Sequence, residues 1–582
     1  MNRNQRSAKA DQQSLSIAVV GSGGAGAITT GTLLLEAAAK QGCYGILTRT
    51  VGPQIRGGEA AALVRVGNAA IDCVGDGFDI LLAMDWNNVD RLVAEIPLRA
   101  DSLIIADPEQ GKVPEAILTS GARICELPIG ELAKSVSKGR PNMISLGILA
   151  ELLDLQSSAV NAVLEKQLSK KGEAALQSSM ETVQAGRDAA SGLGKYPLPV
   201  GDAAGGKRWL ITGNHASAYG ALRAGIRFVA AYPITPATEV LEWLSSGLAK
   251  TGGRLVQAED ELASINMVIG ASFGGIPSLT ATSGPGLSLM IESLGLAVAS
   301  EIPLVVIDVM RVGPSTGIAT KAEQSDLNIA VYGFHGDAPH LVVAPNSVAD
   351  CVSTTQWAVH LAEAMQVPII VLTDQYLGQT KSIIDRPSKV DYKAERLTTG
   401  IPTGGYARYA ITDSGVSPMA IPGTPGGQYT ADGLEHSVKG TPSTKAEDHE
   451  QQMNKRQQKI SNFNYGDHWA DVEGTGSLAV LTWGSTTGAI REALRKLKQA
   501  GVDDIRLLSL RLITPAQPEK FTAAMTGVER VLIVEQNHSA QLWHFLRAHY
   551  ELPKDAEVYN RAGPLLFRPG EIIEKIKQWR SA

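Results

Sequence analysis

A proline-bounded turn, a run of three acids and an arginine are the residues whose types and spacing could do chemistry in this chain. An apolar run from Phe228 to Ala231 stops at Tyr232-Pro233-Ile234-Thr235-Pro236. It restarts as a helix, with Pro236 expected at the first position, where a missing N–H does no harm. Thr235 then precedes the helix, and its hydroxyl either caps the first-turn amides or, together with free amides, receives a carboxylate. Next comes a strand ending in Glu259-Asp260-Glu261 at the mouth of an apolar helix, Leu262 to Ala271. Acids there favour the helix dipole, which is reason enough for them. Context lifts one of them: the Thr282-Ser283-Gly284-Pro285-Gly286 turn follows, then a strand from Pro303 to Val309 with Arg311 at its end.

These pieces must be positioned by α/β elements. Near the N-terminus the run Leu15 to Val20 leads into Gly21-Ser22-Gly23-Gly24-Ala25-Gly26 and a helical stretch through Lys40. Gly21, Gly23 and Gly26 match the dinucleotide fingerprint, in which backbone approaches a pyrophosphate at a helix N-terminus. An NAD site also wants an acid at the end of the next strand. That strand ends Ile46-Leu47-Thr48-Arg49-Thr50, without one. A phosphate-bearing ligand other than NAD is therefore preferred, with a ligand-free strand–helix turn as the alternative. Arg56, in the loop before a strand from Ala60 to Val66, either reaches phosphate or pairs with Glu59. Gly75-Asp76-Gly77 with Asn87-Asn88 imitates a diphosphate-metal motif, but the interval is too short to cross a strand and helix and return. Asp76 reads as a turn residue.

The composition bounds these readings. A chain of 582 residues, 44% of them hydrophobic, supports several cores, on the order of three or four domains. Lys plus Arg total 53 against 59 Asp plus Glu, a net charge of -6, which argues against a nucleic-acid partner. The stretch Met1–Ser14 is polar and no apolar run is long enough to span a bilayer, so secretion and membrane insertion are not expected and a cytoplasmic location is. Cys43, Cys73, Cys125 and Cys351 are too dispersed for a metal-ligand set and read as small buried side chains.

Several motifs in one order carry a resemblance. Tyr232-Pro233-Ile234-Thr235-Pro236, Glu259-Asp260-Glu261, Thr282-Ser283-Gly284-Pro285-Gly286, Arg311-Val312-Gly313-Pro314-Ser315-Thr316-Gly317 and Gln324-Ser325-Asp326-Leu327 resemble the alpha subunit of 2-oxoacid:ferredoxin oxidoreductases. The likeness is strongest to the 2-oxoglutarate enzyme with a gamma domain fused N-terminally. The glycine turn and Gln54-Ile55-Arg56-Gly57-Gly58 are similar to that gamma domain, and coverage runs from residue 15 to 570.

The resemblance implies three parallel-sheet α/β domains. Residues 1–14 are expected to be disordered, 15–190 a gamma-type domain associated with coenzyme A, and 191–208 a linker. Residues 209–390 are expected to form a thiamine-diphosphate pyrimidine-type domain, 391–472 an extended insert, and 473–582 a transketolase C-terminal-like domain. The insert is expected to make contacts rather than do chemistry, and His436 within it has no preferred environment. The Glu535-Gln536-Asn537-His538 segment is given a structural role.

The implied activity is oxidative decarboxylation of a 2-oxoacid with coenzyme A, giving succinyl-CoA from 2-oxoglutarate and electrons for ferredoxin, or the reverse carboxylation. Pyruvate and branched-chain 2-oxoacids are the substrate alternatives; a self-contained NAD dehydrogenase and a non-catalytic coenzyme A-binding module are more distant ones. Glu261 corresponds to the carboxylate that hydrogen-bonds the aminopyrimidine ring and so activates the thiazolium carbon, with Glu259 as the alternate. Ile234, Thr235 and Arg311 correspond to the site of the substrate carboxylate, with Asn214 a weaker candidate for the same pocket. Gly21, Gly23, Gly26 and Arg56 correspond to the coenzyme A side. No metal ligand is assigned to this chain. The resemblance implies a beta subunit bearing Mg2+ and a [4Fe-4S] cluster, in an (alpha-beta)2 assembly that shares the thiamine diphosphate.

Overall fold

A computed structural model describes residues 14–52, 57–198, 208–401 and 404–581, and the chain divides into two compact units. The first comprises residues up to Ile211 with 380–386 and 568–570. Across its sheet the strands run Arg123–Glu126, Leu98–Ala106, Phe78–Ala83, Ser14–Ser22, Glu59–Gly67, Tyr44–Val51, Lys381–Asp385 and Arg208–Thr212. A parallel sheet is the sequence expectation, and this one is mixed: Glu59–Gly67 is antiparallel to both Ser14–Ser22 and Tyr44–Val51. The connection from Val51 to Glu59 is too short for the crossover that a parallel neighbour needs, so the chain returns as a hairpin. Helices Ala27–Lys40 and Pro141–Leu152 join one apolar core with Ile17, Val19, Leu82 and Ile105. Glycines let two helices touch, since a Cβ on Gly147 would lie 2.1 Å from the Val183 carbonyl oxygen.

The first strand begins at Ser14, inside the stretch expected to be disordered; residues 1–13 lie outside the described residues. Residues 191–198 of the expected linker are anchored, with Tyr196 N donating to Leu152 O at 2.7 Å and Leu198 buried. The remainder of that linker, 199–207, also lies outside the described residues.

The second unit carries two sheets. In the larger, the order is Leu512–Thr514, Leu341–Val343, Pro368–Asp374, Leu304–Met310, Ser278–Thr282, Phe228–Ala231 and Arg254–Gln257. All its neighbours are parallel except Leu512–Thr514, as the alternation of strand and helix requires. The smaller sheet is Ala470–Glu473, Ile505–Leu510, Leu478–Trp483, Arg530–Glu535 and Asp555–Asn560, again parallel apart from one edge strand. Leu512–Thr514, directly after a strand of the smaller sheet, edges the larger one, and a single apolar core runs through both.

The 391–472 stretch is built into this unit, with Arg408, Tyr409 and Met419 fully buried. Its helix Ala446–Ser461 places Lys455 and Lys459 on the buried Glu301 carboxylate, at 2.5 and 3.1 Å. His436 is buried too, its ring stacked 3.8 Å from that of Tyr409.

Candidate active site

Four adjacent strands of the larger sheet gather the sequence motifs. In sheet order, Leu304–Met310 releases Arg311, Ser278–Thr282 releases the 283–286 turn, Phe228–Ala231 releases the 232–236 turn, and Arg254–Gln257 releases the acids. All four are parallel, so these pieces emerge at the carboxyl end of one sheet, where open α/β folds collect ligands.

The three acids separate by environment. Asp260 caps the Glu261–Phe273 helix, accepting from Ala263 N at 2.7 Å. Glu259 is exposed. Glu261 is 7% exposed, and its carboxylate has no hydrogen-bond or ion-pair partner among the described residues. A buried carboxylate without a partner is costly unless something else meets it. Gly286 keeps the space beside it: a Cβ there would lie 2.7 Å from Glu261 Cγ and Oε1, and 2.1 Å from Thr282 Oγ1.

The 232–236 turn is shaped by its carbonyls. Arg311 Nη1 donates to Thr235 O at 2.6 Å, and Asn214 Nδ2 donates to Pro236 O at 2.9 Å. With those carbonyls directed to side-chain donors, the helix starts later than expected, at Thr238, and Pro236 is not its first residue. Ala237 takes the cap position, so Thr235 is not the cap. The Thr235 hydroxyl is exposed with no partner among the described residues, and Ile234 is half-buried beside it. Asn214, buried near the start of the Gly213–Ala224 helix, leaves its Oδ1 without a donor. Arg311 is mostly buried, with Nε unpaired, and burial lowers its pKa from the ordinary guanidinium value.

Arg311 opens on a cleft of about 690 Å³. Gly284, Pro285 and Ser288 line it on one side, and Asn537, His538 and Gln541 on another. Sequence reasoning gave this last segment a structural role. Glu535 does have one, accepting from Leu542 N and Trp543 N at 2.7 and 3.0 Å. Its neighbours nevertheless face the cleft, a consequence of the two sheets sharing a core that the motifs alone did not reveal. Two further acids were missed, Asp308 and Asp326. Burial followed by the charge of Asp326 raises Asp308 well above the usual carboxylate range.

The glycine turn belongs to the first unit. Ser22 N and Oγ both donate to the Asp85 carboxylate at 2.8 Å, and Gly23 N donates to Gly58 O. Gly24 and Gly26 adopt φ of 105° and 102°, conformations that a side chain disfavours. These two glycines line a pocket of about 490 Å³ together with Thr29, Lys138, Arg140 and Lys171. Gly21 lies on the strand before the turn and is not in that lining, nor is Gly23. Arg56 lies outside the described residues, while Glu59 pairs with Arg91 at 3.4 Å. Three cations around a glycine turn suit a phosphate-bearing ligand, and the spacing of these cations in sequence gave no hint of it. Asp76 sits in a bend, as expected, and accepts from Gly570 N.

Comparison with known proteins identifies the family. Residues 219–455 match the family described as pyruvate flavodoxin/ferredoxin oxidoreductase, thiamine diP-bdg. Residues 16–189 match the family described as pyruvate ferredoxin/flavodoxin oxidoreductase. The 2-oxoglutarate synthase subunit KorA of Methanothermobacter marburgensis is 35% identical over 377 residues, which cover 64% of this chain and 98% of that one. The alpha subunit of 2-oxoacid:ferredoxin oxidoreductase 2 of Aeropyrum pernix is 33% identical over 484 residues, 77% of this chain and 75% of its own length. A solved structure of the 2-oxoglutarate:ferredoxin oxidoreductase from Magnetococcus marinus, with 2-oxoglutarate, coenzyme A and succinyl-CoA bound, is 36% identical. It matches with a TM-score of 0.89 over 97% of this chain and 99% of that one. Fold and family matches thus define an oxidoreductase subunit of the three-sheet α/β type. More particularly, the chain belongs to the alpha subunits of the 2-oxoacid:ferredoxin oxidoreductases.

Proposed function

We propose that this chain activates thiamine diphosphate in a 2-oxoglutarate:ferredoxin oxidoreductase. The enzyme converts 2-oxoglutarate and coenzyme A to succinyl-CoA and carbon dioxide with reduction of ferredoxin, or runs the reverse carboxylation. The observation that carries this reading is Glu261, a buried side chain at the sheet's carboxyl end with no partner among the described residues and with Gly286 leaving room beside it. Such a group fits an aminopyrimidine ring, whose N–H supplies the missing donor. Bound there, thiamine diphosphate supplies the carbon nucleophile for the keto group of the substrate.

The chain's own residues do the rest. Glu261 holds a proton at the pyrimidine ring, and its burial strengthens that hydrogen bond. Arg311, with the Thr235 hydroxyl and the backbone at Ile234, fixes the substrate's 1-carboxylate and so orients the keto carbon. Asn214 holds the turn from beneath through Pro236 O. Coenzyme A places its phosphates in the glycine-turn pocket with Lys138, Arg140 and Lys171. A beta subunit contributes the diphosphate's Mg2+ and the [4Fe-4S] cluster, in an (alpha-beta)2 assembly in the cytoplasm. Leu262, Met267 and Leu289, exposed at 50%, 42% and 49% on the two helices that follow the acids and the 283–286 turn, support coverage of this edge by that partner. No helix among the described residues is long and apolar enough to cross a membrane.

The deciding experiment reconstitutes the chain with a cluster-bearing partner and measures kcat/KM over a panel of 2-oxoacids, with coenzyme A and a dye acceptor. 2-Oxoglutarate is expected to lead. A lead for pyruvate or a branched-chain 2-oxoacid overturns the substrate assignment, and no 2-oxoacid-dependent reduction overturns the activity.

A further inference from the structure

Asp326 lines the cleft that Arg311 opens on, and its carboxyl interacts with that of Asp308 behind it. Asp308, on strand Leu304–Met310, is fully buried, and neither of its carboxyl oxygens meets a donor among the described residues. Asp326 stands just before the Leu327–Tyr332 helix, where an aspartate ordinarily caps the first turn, yet its side chain makes no cap hydrogen bond. It points instead at the start of the Gly284–Ala299 helix: a Cβ on Gly284 would lie 2.5 Å from Asp326 Oδ2. That Oδ2 is also buried without a donor. Buried acceptors opposed to one another repel unless a proton lies between them.

We propose that Asp308 and Asp326 share a proton and together act as a positioning element that sets the charge Arg311 presents to the carboxylate of the 2-oxoacid. This rests on the reading of Arg311 given above. Pairs of this kind titrate as a unit. Burial, then Asp326, keeps Asp308 protonated far above the usual range. Burial, then Glu323, pushes Asp326 up to about 6, against the opposing pull of Asp308 and Arg311. The charged and titratable groups facing Asp326 are Asp308 and Arg311 from the strand and its end, Glu323 from its own segment, and His538 lining the same cleft. Glu323 is itself engaged, accepting from Gly563 N at 2.8 Å.

The sign follows from the charges. Below the Asp326 pKa the pair is neutral, and the guanidinium meets the substrate's carboxylate uncompensated. Above it the pair carries one negative charge beside Arg311, which competes with the substrate. KM for the 2-oxoacid therefore rises with pH, by about tenfold for a coupling worth one pKa unit, while kcat moves less.

The test uses the assembled alpha–beta enzyme and reads KM and kcat separately from about pH 5 to 8. Asp326→Asn is expected to hold KM nearly level across that range. A wild-type KM profile retained in Asp326→Asn overturns the proposal. An infrared spectrum of the wild-type chain at neutral pH supplies a readout independent of catalysis: a protonated carboxylic acid C=O band is expected, and Asp308→Asn should remove it. Absence of the band, or its replacement by a tightly held cation, overturns the shared proton whatever the kinetics. Arg311→Gln that leaves KM untouched overturns the parent reading of the substrate site instead, and is distinguished because the infrared band persists.

Discussion

Gly286→Ala separates the chemistry of the site from its stability. A Cβ at this position would sit 2.1 Å from Thr282 Oγ1 and 2.7 Å from both Glu261 Cγ and Oε1. Unstrained carbon contacts need about 3.5–4.0 Å, so the Glu261 side chain must retreat by roughly 1 Å. Gly286 is helical and has no positive φ, so alanine is not strained by its backbone. Overpacking costs about 1–3 kcal/mol, and the better helix propensity of alanine offsets up to about 1 kcal/mol of it. Fold and assembly should survive. A catalytic group displaced by about 1 Å loses on the order of 100-fold in rate, so kcat of the reconstituted enzyme should fall by that factor with only a modest drop in the Tm of the chain. The control is Gly270→Ala on the neighbouring helix, where a Cβ meets nothing within 4 Å and Tm should hold or rise slightly. Turnover within about threefold of wild type in Gly286→Ala, a difference of less than 1 kcal/mol in barrier, would refute the assignment of Glu261.

Glu261→Gln breaks no existing side-chain bond, so thermal stability and assembly should be unchanged while turnover falls by about 10²–10⁴-fold; near-normal turnover counts against the proton role. Arg311→Lys keeps a charge but loses the planar fork and its hold on Thr235 O, and KM for the 2-oxoacid should rise by about tenfold or more in steady-state assays. Glu301→Gln strands Lys455 and Lys459 in the interior and should cost about 3–5 kcal/mol in denaturant titrations. Burial pushes Glu301 up, but Lys459, Lys455 and Arg408 more than offset it and hold it well below the usual range. A depressed carboxylate stabilises the fold above its unfolded pKa and loses that contribution as pH falls toward the folded value, so the stability difference between wild type and Glu301→Gln should shrink progressively below about pH 4.

The elements were legible where periodicity and punctuation agreed. Strands Phe228–Ala231 and Leu304–Met310 and the Ala27–Lys40 helix stand where apolar runs, glycines and prolines put them. The start of the helix after Pro236 was misplaced because proline preference is local, whereas the turn is held by Arg311 and Asn214 from elsewhere in the chain. The same limit explains the mixed first sheet, whose hairpin was visible only as a short connection, and the burial of His436, since no periodic signal marks a residue packed by an irregular segment. Lys138 and Arg140 precede the apolar helix Pro141–Leu152 and Lys171 follows the next helix, Ser157–Leu168, so these cations converge only in space.

The three consecutive acids show how far residue type can carry an argument and what must then take over. All satisfy the helix-dipole preference equally in sequence, so electrostatics of the isolated helix cannot choose among them. Each position faces a different direction once the strand before it is fixed in the sheet. Asp260 meets the first-turn amides and is used up as a cap, Glu259 is exposed, and only Glu261 is turned under Gly286, buried and without a hydrogen-bond partner among the described residues. Asp326 presents the converse. Its position predicts a cap, yet the cap bond is absent and the carboxyl faces another acid. In both cases the departure from what local structure asks of the residue, rather than the residue type, is what marks it for chemistry.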